Sequence, residues 1–174
     1  MASAFVNPKK ILSEQLNLES RMLAADFGCG SGEWVLPLAK ELGDGKVYAI
    51  DLLEEPLSAL RGKIRANNLQ NIEIVKADVE KTISRLLSKS LDLVLMTNLL
   101  FQVSDRKAVL AEAKRALKPG GRILVIDWSE KAGIGPEQKI SVEELKRLAS
   151  ETGFSLEKEF TAGSFHIGLI FIKN

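Results

Sequence analysis

The sequence predicts a Rossmann-like α/β fold with a doubly wound, seven-stranded sheet that is parallel except for an antiparallel strand seven. Three observations favour this fold. Five apolar segments alternate with helical patterns, which is typical of a parallel sheet with right-handed crossovers. The first segment ends in a glycine-rich turn, residues 28–32, that opens a helix. Four residues, 161–164, join the last two segments, and because a parallel crossover needs many more, strand seven must run in reverse.

The strands are predicted from short apolar runs that are bounded by turn residues or by acids. The fourth run is apolar apart from Asp92, as expected of a parallel strand that is covered on both faces. The seven predicted strands are residues 22–27, 46–51, 72–77, 91–97, 122–127, 154–160 and 165–172.

Helices are predicted where apolar residues recur at helical spacing after a capping residue. Asn7 is the N-cap of the first helix, Asp105 can cap the fifth, and Ser141 begins a capping box. The six predicted helices are residues 8–18, 33–42, 56–67, 81–87, 105–117 and 141–151. A long connection, residues 128–140, is predicted to lack regular structure, and such loops are often functional.

The length of 174 residues indicates a single domain, 1–174, with an N-terminal helical segment, 1–20, that packs on the core. Apolar residues make up 45% and charged residues 27%, which is ordinary for a globular protein. The formal net charge of +1 provides no global field that would attract nucleic acid or an acidic membrane. We therefore expect neither partner, and a monomer or a homodimer.

The sequence also predicts a cytoplasmic location. Cys29 is the one cysteine, which excludes an intrachain disulfide and favours a reducing compartment. Residues 1–10 lack the basic and apolar regions of a signal peptide. No apolar stretch approaches the roughly 20 residues that a membrane span needs.

Polar side chains follow the carboxyl ends of the predicted parallel strands, which meet at one edge of the sheet, where open α/β sheets bind their ligands. Strand seven runs in reverse, so its first residues, including His166, lie at the same edge. This gathering of polar residues beside an otherwise apolar sheet predicts a ligand site. The residues at the strand ends are Asp26, Asp51, Asp78, Asn98, Asp127 and Trp128.

The turn after strand one has glycines at Gly28, Gly30 and Gly32, and it brings bare backbone N–H groups to the start of a helix. A dinucleotide fingerprint would place its third glycine at Glu33, which disfavours a nicotinamide dehydrogenase. The turn therefore indicates another nucleotide-like cofactor. We interpret Cys29, between two of the glycines, as a small buried residue rather than a nucleophile.

The acids of the next two strand ends fit a nucleoside. Asp51 follows the turn by about 20 residues, where a carboxylate can accept both hydroxyl hydrogens of a ribose. Alternatively, Asp51 complements the dipole of the next helix. Asp78 fits an acceptor for the adenine amine, with Leu52 and Val79 against the ring, or it merely caps the segment that follows.

Charge selects among nucleotide-like cofactors. Acids at three strand ends would repel a pyrophosphate, and the turn lacks the lysine of a P-loop. S-adenosylmethionine carries a sulfonium and an ammonium group, which suit these carboxylates. Asp26 is then expected to hold the turn and the amino end of the ligand. No metal site is predicted.

Four motifs occur in order along the chain: Asp26-Phe27-Gly28-Cys29-Gly30-Ser31-Gly32, Ala49-Ile50-Asp51, Ala77-Asp78-Val79 and Leu117-Lys118-Pro119-Gly120-Gly121-Arg122-Ile123-Leu124-Val125. With them, residues 22–173 resemble the class I S-adenosylmethionine-dependent methyltransferases, of the small type 11 kind that includes the ubiquinone and menaquinone C-methyltransferases. The resemblance implies that the glycine turn binds the methionine portion and Asp51 the ribose. It also implies that Asp78 with Val79 binds the adenine and that the backbone around Asn98 meets the methionine ammonium.

Two features depart from relatives in this class. Members that methylate amide or base nitrogens carry Asp/Asn-Pro-Pro-Tyr/Phe after strand four, whereas this chain has Thr97-Asn98-Leu99-Leu100, so that chemistry is not expected. Many relatives also have added helices or strands over the substrate. Here the predicted helix 8–18 and the loop 128–140 are the segments available as a lid.

The resemblance implies in-line transfer of a methyl group to a small-molecule acceptor, for which the protein mainly positions the reactants and excludes water. His166, the one histidine, is the candidate general base, or else a histidine that is merely satisfied at a strand end. Asp127 is a candidate to orient the acceptor or to pair with His166, or else a plain strand-end acid. An RNA or protein acceptor and a non-catalytic cofactor-binding subunit are the alternative functions.

Overall fold

The computed structural model describes residues 5–174 and contains one seven-stranded sheet with helices on both faces. The strands are β1 Leu23–Phe27, β2 Lys46–Asp51, β3 Ile72–Lys76, β4 Leu91–Thr97, β5 Leu117–Trp128, β6 Phe154–Ala162 and β7 His166–Lys173. Their order in the sheet is β3-β2-β1-β4-β5-β7-β6. The pairs among β1 to β5 are parallel, and β7 is antiparallel to both β5 and β6. The predicted doubly wound sheet with a reversed seventh strand is confirmed.

Five helices flank the sheet within the described residues: α1 Pro8–Gln15, α2 Val35–Glu41, α3 Glu54–Ala66, α4 Arg106–Ala116 and α5 Val142–Thr152. The predicted caps form, because the side chains of Asn7, Asp105 and Ser141 each accept a hydrogen bond from the backbone N–H three residues later. Pro37 and Pro56 lie in the first turns of α2 and α3, where a missing N–H breaks no helical hydrogen bond.

The prediction of a helix at residues 81–87 is wrong, because this segment is irregular. In one turn the Leu86 N–H donates to the Ile83 carbonyl at 2.9 Å, and other backbone groups of the segment bind side chains of α4. The Ile83 N–H donates to Glu112 Oε1 at 2.9 Å, and Arg115 donates to the Leu86 carbonyl at 2.8 Å. Ile83 and Leu86 are each 2% exposed, so the crossover from β3 to β4 still covers the sheet as a helix would.

Two apolar clusters fill the space on the two faces of the sheet. The first lies under α4, α5 and the irregular crossover, and it contains Phe27, Phe154 and Phe171. The second lies under α2 and α3, where Leu12 and Leu16 from α1 and its C-terminus are buried. The N-terminal segment therefore packs against the second face through Val6, Ile11, Leu12 and Leu16, while residues 1–4 lie outside the described range.

No helix among residues 5–174 has both the length and the apolar character to cross a bilayer.

The buried pair between Glu112 and Arg115 yields a prediction for stability. Glu112 is 5% exposed, and its carboxylate lies 2.6 Å from the Arg115 guanidinium. We expect Glu112→Ala to lower the free energy of unfolding by about 2–4 kcal/mol, because the guanidinium and the Ile83 N–H lose their buried partner. Urea unfolding measures this difference.

The control is Glu151→Ala. Glu151 pairs with Arg147 and Lys107 on the surface, and its side chain is 41% exposed. Removal of such a solvent-screened surface pair is expected to leave the free energy of unfolding almost unchanged. Equal losses in the two variants would contradict a structural role for the tether between α4 and the crossover.

Candidate cofactor site

A cleft of about 650 Å³ lies beyond the carboxyl ends of β1 to β4. It sits where the strand order reverses between β1 and β4, the usual ligand position in an open α/β sheet. Four segments line it: the glycine turn after β1 and the loops after β2, β3 and β4. Eight of the ten predicted cofactor-binding residues line the cleft, and the other two, Asp26 and Gly32, do not.

The glycine turn brings bare backbone to the cleft at Gly30. Gly30 has a φ of +53°, and a Cβ built there would meet no atom within 4 Å, so the space above this peptide is open. Gly32 has a φ of +89° and serves packing instead, because a Cβ there would lie 2.3 Å from Leu60 Cδ1 on α3. Gly32 does not line the cleft. Thus Gly30 leaves open space in the cleft, whereas Gly32 allows α3 to pack closely against the turn.

Leu99 covers the beginning of the turn. A Cβ on Gly28 would lie 2.7 Å from Leu99 Cδ1, so Gly28 is needed for this contact, although it also borders the cleft. Cys29 is 6% exposed, and burial together with the nearby carboxyls of Asp26 and Asp51 raises the pKa of its thiol. The thiol therefore stays protonated, which agrees with a packing role rather than a nucleophilic one.

The Asp51 carboxylate points at the glycine turn. Its Oδ2 accepts from the Gly30 N–H at 2.9 Å, and its Oδ1 accepts from the Leu53 N–H at 3.0 Å, at the start of α3. Each carboxylate oxygen has a further acceptor site, so this side chain can bind hydroxyl groups without giving up these bonds. Both interpretations of Asp51 are therefore compatible: it holds the start of a helix and it lines the cleft.

Asp26 lies beneath the turn and does not line the cleft. It is 1% exposed, and neither carboxyl oxygen has a hydrogen-bond partner. Burial, followed by repulsion from Asp51, raises its pKa well above the usual value of an aspartate. The structure thus places Asp26 behind the site rather than in direct reach of a ligand in the cleft.

The loop after β3 forms the second wall. Asp78 Oδ1 accepts from the Glu80 N–H at 3.0 Å, and its other oxygen lies 3.2 Å from Lys81 Nζ. These bonds lower the pKa of Asp78, so the carboxylate is charged. Val79 is 8% exposed beside it, and Leu52 is 58% exposed on the loop after β2. An acceptor with two apolar neighbours is the arrangement expected around a purine ring.

Asn98 begins the third wall in a strained conformation. Its φ is +51°, which is uncommon for a residue other than glycine, and its N–H donates to the Ile126 carbonyl at 2.7 Å. Gln102 Nε2 donates to the Asn98 carbonyl at 2.5 Å. The Asn98 Oδ1 is buried without a partner, although it borders the cleft. Strain and an unpaired acceptor are typical of a position that is selected for a ligand.

The charge of the lining is uniformly negative. Four carboxylates line the cleft, from Glu33, Asp51, Asp78 and Glu80, and the described residues contribute neither Lys nor Arg to the lining. Lys63 lies nearby but donates to the carbonyl and hydroxyl of Ser31. Such a lining favours a cationic or neutral ligand over a phosphate. Within residues 5–174, no group of three or more His, Cys, Asp or Glu side chains could hold a metal ion.

The remaining candidates, Asp127 and His166, lie outside the cleft lining and do not meet. Asp127 is 2% exposed, and its Oδ1 accepts from the Trp128 N–H at 2.8 Å. His166 pairs in register with Trp128, and their ring centroids are 4.3 Å apart. Successive residues of a strand point to opposite faces, so Asp127 lies on one face of the sheet and His166 on the other. A pair between Asp127 and His166 is therefore not formed.

Burial shifts both groups toward neutrality. It raises the pKa of Asp127 to about 6, although the backbone N–H groups of Trp128, Leu100 and Phe101 partly offset the rise. It lowers the pKa of His166, whose Nε2 is buried without a partner. Asp127 therefore titrates near the pH range in which proton transfer is efficient, whereas His166 is held in its neutral form at pH 7.

Several lining residues were not predicted. Trp34 is 5% exposed and belongs to the second apolar cluster, yet one side of it borders the cleft. Glu80 and the segment 102–104 lie in loops whose approach to each other cannot be read from local pattern. For Trp34 the signal was its position directly after the glycine turn.

A family model described as a methyltransferase domain matches residues 24–121, more than half of the chain. Among curated proteins, the demethylmenaquinone methyltransferase of Bacillus mycoides (strain KBAB4) is 32% identical over 116 residues, which are 66% of this chain and 48% of that protein. The chain spans about half the length of the curated relatives it matches.

Two solved structures are similar over almost the whole chain. A SAM-dependent methyltransferase from Aquifex aeolicus is 29% identical with a TM-score of 0.89, covering 98% of this chain and 92% of that one. A structure described as a type 11 methyltransferase from Sulfolobus solfataricus is 26% identical with a TM-score of 0.79. The match covers 98% of this chain and 94% of that one. The matched family model, the curated relatives and these structures place the chain in the family that its motifs resemble: it belongs to the class I S-adenosylmethionine-dependent methyltransferases.

Proposed function

We propose that this chain transfers a methyl group from S-adenosylmethionine to a small-molecule acceptor, acting as a single domain over residues 1–174. One observation carries the proposal: the open backbone at Gly30 lies beside the Asp51 carboxylate in a cleft lined by four acids. The curated relatives are named demethylmenaquinone methyltransferases. Their name refers to a quinone, which supports a small-molecule acceptor for this chain.

The residues of the cleft fit this cofactor. Asp51 has acceptor capacity left for the ribose hydroxyls, and Asp78 with Val79 and Leu52 suits the adenine. The Asn98 segment offers an unpaired buried oxygen to the methionine ammonium. Asp26 lies behind the turn outside the cleft lining, and burial favours its neutral form in the absence of a positively charged ligand.

When bound, S-adenosylmethionine supplies a methyl group on a sulfonium to a nucleophilic atom of the acceptor by in-line displacement. The chain's own contribution is to hold both reactants and to exclude water, which can account for about 7–11 kcal/mol of the barrier in favourable cases. His166 serves as the base on the acceptor side, since burial keeps its imidazole neutral and Trp128 packs against the ring. Asp127 orients the backbone around Leu100.

We propose the cytoplasm as the location, which the single buried thiol of Cys29 supports. The oligomeric state is proposed to be a monomer or a homodimer. Release of S-adenosylhomocysteine with a pool of small metabolites supports the proposed function. Release with bulk RNA or protein alone would instead indicate a macromolecular acceptor, and none with any pool would indicate a non-catalytic binding subunit.

The Asp51 carboxylate gives the first test of cofactor binding. We expect Asp51→Ala to weaken binding of S-adenosylmethionine and S-adenosylhomocysteine about 10- to 100-fold, because hydrogen bonds to a charged group contribute about 1.5–3 kcal/mol. Calorimetry measures both dissociation constants. The control is Asp44→Ala, which removes the same charge from an exposed turn outside this cleft. The proposal fails if the wild type binds no more tightly than the Asp51 variant.

The glycines of the turn provide a second test, in which binding and stability separate. Gly30→Ala directs a methyl group into the open space of the cleft and is expected to weaken S-adenosylhomocysteine binding at least ten-fold, with a loss of about 1–2 kcal/mol of stability. Gly32→Ala directs it into Leu60 and is expected to cost more stability, about 2–4 kcal/mol.

The matched control is Gly62→Ala in α3, where a Cβ meets nothing within 4 Å and helix propensity favours alanine. We expect a gain of up to about 1 kcal/mol and unchanged binding. Thermal unfolding and calorimetry on the same samples distinguish the three variants. Unchanged binding in Gly30→Ala would place the ligand elsewhere.

The buried carboxyl of Asp127 predicts a pH dependence of stability. Its folded pKa of about 6 exceeds the usual value of 3.8, so the folded state holds the proton more tightly than the unfolded state. The stabilising contribution of the protonated form is complete below pH 3.8 and is lost as the pH rises through 6. We expect Asp127→Asn to gain about 2–3 kcal/mol relative to the wild type between pH 4 and pH 7. Urea unfolding at both pH values measures this change, and a pH-independent difference would contradict the assignment.

A further inference from the structure

One carboxylate joins two loops that line the cofactor cleft from different strands. Glu80, in the loop after β3, accepts from the Asp105 N–H at 2.8 Å and also from the Ser104 N–H. Ser104 ends the loop after β4, and Asp105 is the N-cap of α4. Both Glu80 and Ser104 border the cleft.

These bonds connect parts of the site that the sheet keeps apart. β2 and β1 lie between β3 and β4, so the carboxyl ends of β3 and β4 are separated by three strand spacings, or about 14 Å. The loop after β3 carries Asp78 and Val79, whereas the loop after β4 carries Asn98. Among the hydrogen bonds of residues 5–174, the two that Glu80 accepts are those that join these loops.

Glu80 is itself held at a fixed place. Its N–H donates to Asp78 Oδ1 at 3.0 Å, so the acid on the adenine side and the joining carboxylate belong to one turn. On the other side, its carboxylate accepts from backbone N–H groups at the start of α4, where the helix dipole stabilises a negative charge. The connection therefore runs from Asp78 through Glu80 to the end of the loop that Asn98 begins.

We propose that Glu80 is a positioning residue that sets the spacing between two walls of the cleft. One is the loop after β3, which is proposed to bind the adenine, and the other is the loop after β4, which is proposed to meet the methionine ammonium. The inference rests on the proposed function for the identity of the ligand, but not for the link between the loops. Glu80 touches no reacting atom, and it acts through the two loops. Its removal lets the walls separate, so a ligand that must touch both walls at once binds less tightly.

The test compares Glu80→Ala with Glu80→Gln in the full chain. Calorimetry gives the dissociation constant of S-adenosylhomocysteine, and hydrogen exchange of the free protein reports on residues 77–82 and 98–104. We expect Glu80→Ala to raise the dissociation constant at least five-fold and to speed exchange in both loops. Glu80→Gln keeps a carbonyl oxygen that can accept both N–H groups, so it is expected to stay within two-fold of the wild type.

Asp105→Ala is the control for a merely structural role at the start of α4. It removes the capping bond to the Ala108 N–H, at 2.9 Å, but keeps the backbone N–H that Glu80 binds. We expect Asp105→Ala to lower the melting temperature about as much as Glu80→Ala does. The dissociation constant of S-adenosylhomocysteine is expected to stay unchanged in Asp105→Ala. The inference is overturned if Glu80→Ala weakens binding no more than Asp105→Ala, or if exchange of residues 77–82 does not rise.

The exchange data separate this inference from the proposed function. Faster exchange in both loops of Glu80→Ala, combined with no binding of S-adenosylhomocysteine by the wild type, would refute the proposed function and the cofactor role of Glu80. It would leave the link between the loops supported.

Discussion

The hydrogen bond from the Gly30 N–H to the Asp51 carboxylate holds together the two strand ends on which the cleft is built. The N–H groups of Gly28 and Cys29 both donate to the Ile50 carbonyl, so the first half of the turn is already bound to the end of β2. Asp51 extends this attachment to Gly30 and also holds the start of α3 through Leu53. One side chain therefore fixes the floor of the cleft and the start of a helix, and the same carboxylate is the proposed acceptor for the ribose hydroxyls.

The same arrangement concentrates acidic groups where the fold must tolerate them. Asp26 is buried beneath Asp51 without a hydrogen-bond partner, and their repulsion adds to the effect of burial on the pKa of Asp26. A structure selected for stability alone would have no reason to keep an unpaired carboxyl there. A binding site for a ligand with a sulfonium and an ammonium group gives such a reason, because nearby positive charge on the ligand favours the ionised carboxylate that burial alone disfavours.

The sequence was sufficient for features that depend on local pattern and chain order. Strand ends are readable from the apolar runs, so Asp51, Asp78 and Asn98 were predicted at the rim and line the cleft. Two predictions failed where contacts between residues far apart in the sequence determine the local structure. The spacing of apolar residues at 81–87 resembled a helix, but the partner of the Ile83 N–H is 29 residues away in α4. Asp127 and His166 were placed at the correct edge, whereas the face on which each lies depends on the register of β5 with β7.

The irregular crossover between β3 and β4 has a consequence for cooperativity. A helix there would be stabilised by its own backbone bonds, but this segment depends on Glu112 and Arg115 of α4. The loop at its beginning is in turn attached to the N-terminus of the same helix. We therefore expect the crossover, α4 and the loop after β3 to unfold locally as one cooperative unit, so that a ligand bound at this loop would also protect the far end of α4.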